Sequence, residues 1–108
     1  MDKDGSYLIA LIGLPNHDMT LIKSLSKLST ARPRRYRVAD VTERNRADII
    51  MVNADDPFAV MEAKNMAKGN NAAQVYVVKQ DKGQSFAPKL VQPINARHFF
   101  DAVDNLPV

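Results

Sequence analysis

Asn53, Asp55 and Asp56 follow directly on the apolar run Ile49-Ile50-Met51-Val52, and Pro57 comes next. Polar groups delivered at the carboxyl end of a buried strand lie where open α/β sheets bind ligands and do chemistry. Adjacent carboxylates at such an edge are potential ligands for a hard cation. The same pair in front of a proline is also the pattern of a helix start: a side-chain cap, negative charge toward the helix dipole, and proline at the first helical position. The second reading is preferred, and no metal is expected.

The other reactive residue types are sparse. The chain has no cysteine, which removes disulfides, thiolate nucleophiles and cysteine metal sites. His17, at a helix start, and His98, inside the last predicted helix, are not read as catalytic. Gly13 follows an apolar run, but without further glycines at fingerprint spacing it is not a phosphate-binding loop. Arg32, Arg34, Arg35 and Arg37 form the densest charge cluster. Guanidinium groups suit phosphate, whereas charge on a sheet edge also discourages edge-to-edge pairing. The second role is preferred for these arginines.

The elements that must position these residues alternate. Residues 7–12 are continuously apolar, as in a strand buried on both faces. Asn16 is expected to cap a helix with Leu21, Ile22, Leu25 and Leu28 on its core side, ending near Ser29 ahead of Pro33. A mixed-polarity strand is predicted over 36–41, a buried one over 49–52, another over 75–78 and a short polar one over 89–92. A helix beginning at Pro57 presents Ala59, Val60, Ala63, Met66 and Ala67, and Gly69 is its expected stop. Asn95 is expected to cap a last helix facing inward with Ala96, Phe99, Phe100, Val103 and Leu106. The phenylalanine pair and the methionines are expected to fill the core.

Strand–helix alternation predicts an α/β fold with a parallel sheet and right-handed crossovers. Placing the mixed strands at the edges gives a flavodoxin-like, five-stranded sheet of order 2-1-3-4-5. The segments 42–48 and 79–88 are short for parallel crossovers. The first has room for one helical turn, and the second is expected to cross extended, with Phe86 covering part of the sheet. One domain over 1–108 is expected, near the usual size of about 100–150 residues.

Asp48 to Pro57, together with Gln92-Pro93-Ile94 and the run Leu8 to Pro15, resembles a response-regulator receiver domain over nearly the whole chain. Receivers carry a phospho-accepting aspartate at the end of the third strand, a carboxylate pair ending the first, a hydroxyl residue ending the fourth and a lysine before the last helix. The corresponding positions here are Asn53, the pair Ile12 and Gly13, Lys79, and Gln92; Lys89 stands at the aromatic switch position. Isoleucine offers magnesium no oxygen, and an amide is not a carboxylate nucleophile.

The resemblance therefore implies a degenerate receiver, or pseudo-receiver. Such a domain is expected to be non-enzymatic, without cofactor or metal, acting as a protein–protein interaction or dimerisation module in bacterial two-component signal transduction. It also implies the N-terminal part of a longer cytoplasmic signalling protein. With the second and fourth helices shortened or missing, one sheet face is expected to stay partly open for a protein partner or a second copy. Phe86, Lys89 and the four arginines are the candidate contact residues. Asn53 is read first as a polar strand-end residue; the sharper alternative places the Lys79 ammonium against Asn53 or Asp55. The alternative is a nucleic-acid-associated regulator using the cluster Arg32–Arg37. A mildly basic balance, net +3, is compatible with either. No apolar run approaches the roughly 20 residues of a spanning helix.

Overall fold

A computed structural model describes residues 5–83 and 88–108. Its elements are β1 (Tyr7–Ile12), α1 (Asn16–Lys27), a 3-10 helix (Leu28–Ala31), β2 (Tyr36–Val38), a second 3-10 helix (Val41–Arg46), β3 (Ile49–Asn53), α2 (Pro57–Asn70), β4 (Ala73–Val78), β5 (Lys89–Val91) and α3 (Ala96–Asp104). All strand pairs are parallel, and the five strands lie in the order β2-β1-β3-β4-β5. This is the flavodoxin-like arrangement that the apolar strands in the middle and the mixed strands at the edges predict. Both edge strands are short, three residues each.

Alternation along each strand divides the core in two. Ile9, Leu11, Ile49, Met51, Val75, Val77 and Leu90 meet Ile22 and Leu25 of α1 and Phe99, Phe100 and Val103 of α3. Ala10, Ile12, Ile50 and Val52 point the other way, toward Ala59 and Ala63 of α2 and toward Ala47. The second layer is built from small residues, so α2 lies close to the sheet. Gly13 marks how close: its φ is +72°, and a Cβ there would sit 2.6 Å from the Ala59 Cβ. Only glycine meets both the left-handed backbone and the close approach.

The 42–48 crossover succeeds with so few residues because it is a 3-10 helix. That helix rises about 2.0 Å per residue against about 1.5 Å for an α-helix. Asp40 and Glu43 hold its start as a reciprocal capping box. Residues 79–83 of the other crossover are neither helix nor strand. Phe86 lies outside the described residues.

Several expectations are corrected. Pro15, not Asn16, takes the cap position of α1, and no side-chain cap bond forms. Leu28 is 64% exposed because the chain tightens into a 3-10 turn after Lys27, which rotates it off the core stripe. Ala96 is exposed in the first turn of α3. Gly69 is inside α2; the left-handed residue that ends the helix is Asn71, at φ 56°. β2 stops at Val38, and Ala73 and Gln74 join β4. The central strands expected to be left open on the second face are covered: Ile12, Ile50 and Val52 are buried by the close α2. Exposed apolar surface lies instead outside the helical layer, at Phe58 (83%) and Met61 (63%) on α2 and at Val41. Met61 is thus a methionine outside the core, while Met51 is fully buried.

Candidate functional site

The carboxyl edge of the sheet gathers Gly13 after β1, Asn53 and Asp55 after β3, Lys79 after β4 and Gln92 after β5. Asn53 bridges two loops there. Its Nδ2 donates to the Gly13 carbonyl at 3.1 Å, and its Oδ1 accepts from the Asp55 N–H at 3.0 Å. Asp55 in turn accepts from the backbone N–H of Lys79 at 3.0 Å through Oδ2. The expected Lys79–Asp55 contact therefore exists, but the peptide group makes it and not the ammonium. Asp56 caps α2, accepting from the N–H groups of Phe58 and Ala59 at 3.0 and 3.4 Å.

The remaining positions singled out by the receiver resemblance are also tied down. Ile12 is buried against the α2 layer. Gln92, joined to Pro93 by a cis peptide, donates from Nε2 to Oδ2 of Asp18, a carboxylate only 6% exposed on α1. The amide thus satisfies a polar group that the helix carries inward, as burial requires. Asp18 had a sequence signal: it shares a helical face with Ile22 and Leu25, both buried. Lys89 pairs with Asp81 at 2.6 Å, and that ammonium, with the Gly83 N–H, holds the Asp81 carboxyl below its ordinary range. Asp55, Lys79, Gln80 and Lys82 line an open depression of about 360 Å³ at this edge.

These contacts convert an edge of polar side chains into a set of loop ties. Asn53 has its amide nitrogen and its oxygen engaged, and Asp55 and Asp56 accept from backbone N–H groups. The amide at position 53 is itself no carboxylate nucleophile.

Arg32, Arg34 and Arg37 make side-chain contacts within the chain. Arg32 donates to Oδ2 of Asp104 at 2.8 Å, with its guanidinium 3.9 Å from the Phe100 ring centroid. Arg34 donates from Nη1 to the carbonyls of Val103 and Leu106 at 3.3 and 2.9 Å, satisfying the end of α3, and lies over the Tyr7 ring. Arg37 forks onto both oxygens of Glu43 at 3.0 and 2.5 Å. That fork, followed by the Asp40 N–H, holds the Glu43 carboxyl down at about 2. Arg35 is exposed and accepts the Tyr7 N–H with its own carbonyl. Asp104 also accepts from the Tyr36 hydroxyl at 2.5 Å; burial first, and then this carboxylate, raise the phenol pKa. Both histidines are exposed.

No helix among the described residues is long and apolar enough to cross a membrane. No family model matches the chain, and no curated protein or solved structure shows a significant match to it.

Proposed function

We propose that this chain is a non-enzymatic interaction module, a pseudo-receiver that pairs with a second copy of itself through the outer side of α2. The observation that carries the reading is the pair Phe58 and Met61, 83% and 63% exposed and one helical turn apart. Large apolar side chains grouped on one exposed helix face are the usual mark of an interface. Their surroundings favour a second copy. Asp56 caps the helix and Glu62 lies in its first half, Lys64 and Lys68 in its second. Two such helices packed antiparallel about a two-fold axis at the Phe58–Met61 pair set apolar against apolar and bring Lys64 of each toward the acidic start of the other. Asn65 and Lys68 continue the stripe at helical spacing.

The receiver likeness supplies the rest of the reading. Asn53 stands at the phospho-acceptor position and Gln92 at the lysine position, so the module works without phosphorylation, as pseudo-receivers in two-component signalling do. The arginine cluster supports nucleic-acid binding less well, because Arg32, Arg34 and Arg37 already have intramolecular partners.

Sedimentation equilibrium tests the pairing. A reversible dimer is expected, and Phe58→Ser with Met61→Ser is expected to return it to monomer while leaving the circular dichroism unchanged. A monomer at all concentrations, or a dimer indifferent to both substitutions, overturns the reading. Incubation with acetyl phosphate is expected to add no covalent phosphate.

A further inference from the structure

Apart from the sheet's carboxyl edge and from α2, a cavity of about 380 Å³ opens between α1 and the edge strand β2, lined by Ser6, Lys23, Ser26, Lys27, Thr30, Tyr36, Arg37 and Val38. The chemistry of this lining is one-sided. It brings together cations and hydroxyls, and no carboxylate is among the lining residues. Lys23 and Lys27 are one turn apart on the same side of α1, an arrangement of like charges that weakens a helix unless something neutralises it. Both are exposed, and among the described residues neither makes an ion pair. The Arg37 guanidinium is occupied by Glu43, so the two lysines are the charges open to a ligand.

Two further observations point to the same place. Ser26 is 3% exposed, and its Oγ has no hydrogen-bond partner among the described residues, against the rule that buried polar groups are paired. β2 is an edge strand, so the backbone groups on its outer side have no strand to meet. Ser29 closes part of that edge: its Oγ accepts the Tyr36 N–H at 2.8 Å and donates to the Ser26 carbonyl at 2.5 Å. Val38, further along, lines the cavity. Its side chain and the lysine stems give an apolar wall beneath a cationic rim.

We infer that this cavity binds a small phosphate monoester with an apolar body, its phosphate held by Lys23 and Lys27 and the hydroxyl of Thr30, its body against Val38 and the lysine stems. A dianionic phosphate matches two ammonium groups, and the volume suits a small-molecule site, which typically begins near about 300 Å³. The site is remote from the α2 face and does not depend on dimerisation.

Phenyl phosphate is the direct probe, followed by amide chemical-shift mapping on the full chain, with inorganic phosphate and phenol as controls. Saturable shifts are expected at Lys23, Ser26, Lys27, Thr30 and Val38, with phenyl phosphate binding more tightly than either control. The double substitution Lys23→Gln, Lys27→Gln is expected to weaken it by about tenfold or more, as removal of the charge-assisted contacts requires. Three results overturn the proposal: no saturable shift at these residues; shifts centred on the Asp55–Lys82 depression instead; or inorganic phosphate binding as tightly as phenyl phosphate, which would mark simple counterion condensation on the lysines. The mapping on the unsubstituted chain decides the matter even if the double variant behaves poorly.

Discussion

The two faces of the sheet are built on opposite plans. On one, α1 and α3 bring Phe99, Phe100 and Tyr36 into a thick aromatic layer, with ring centroids 5.1 Å apart for the phenylalanine pair. Arg32 and Arg34 then fasten α3 to the β2 side from outside. On the other, α2 lies on alanines, close enough that Gly13 admits no side chain. The thick face spends its large apolar residues inward. The thin face needs few of them to close, and its helix carries Phe58 and Met61 outward. A single helix can cover the middle of a parallel sheet when small residues allow close approach, and its outer side is then available for recognition.

Substitutions should separate the two plans. The largest effect is expected from Phe99→Ala, which empties the thick layer: Phe99 is fully buried, and such truncations cost about 3–5 kcal/mol by lost transfer energy and the cavity left behind. Denaturant unfolding would measure it, and a loss below about 1 kcal/mol would mean that this layer is not the stabilising one. On the thin side the damaging change is addition. Gly13→Ala is expected to cost about 1–3 kcal/mol, since the new methyl meets Ala59 and the backbone is left-handed. Arg34→Met keeps much of the stem over Tyr7 but strips the donors from the Val103 and Leu106 carbonyls, with an expected loss of about 1 kcal/mol in thermal unfolding.

A smaller effect is confined to acid. The folded Glu43 carboxyl titrates at about 2 against an ordinary 4.5, so its fork with Arg37 stabilises fully above about 4.5 and is lost as pH falls toward 2. Glu43→Gln is expected to flatten that part of the acid-unfolding curve and to leave its neutral end closer to the parent's slope. The smallest effect belongs to Lys79→Ala. Its backbone N–H, which any residue but proline supplies, makes the contact to Asp55, so stability should change by no more than about 0.5 kcal/mol. A loss well above that would restore a role for the ammonium.

Much of this organisation was legible in the chain itself. Continuous apolar runs at 7–12 and 49–52 mark strands covered on both sides, and the mixed run beginning at Tyr36 marks an edge. The cap at Asp56 with Pro57 behind it, and the cap at Asn95, are local chemistry and appear as expected. Leu28 and Gly69 misled for a local reason as well: a stripe or a glycine does not say where an α-helix gives way to a tighter turn or is carried past a tolerated residue. The Asp18–Gln92 contact spans 74 positions and had only a partial sign, an acid on the core side of α1.

The sequence by itself determined the element order, the parallel sheet and an amide rather than a carboxylate at position 53, because periodicity, capping and side-chain chemistry are properties of a residue and its near neighbours. Tertiary structure alone decided what the polar groups do with one another. It turned Asn53 and Asp55 into ties between loops, Gln92 into a tie to α1, and Arg32, Arg34 and Arg37 into clasps on α3 and the 41–46 helix. It also left Lys23 and Lys27 beside an open cavity, and Phe58 and Met61 facing outward. Those outcomes depend on which surfaces meet across the sheet and how closely. Distance between residues far apart in the chain is set only when the layers pack.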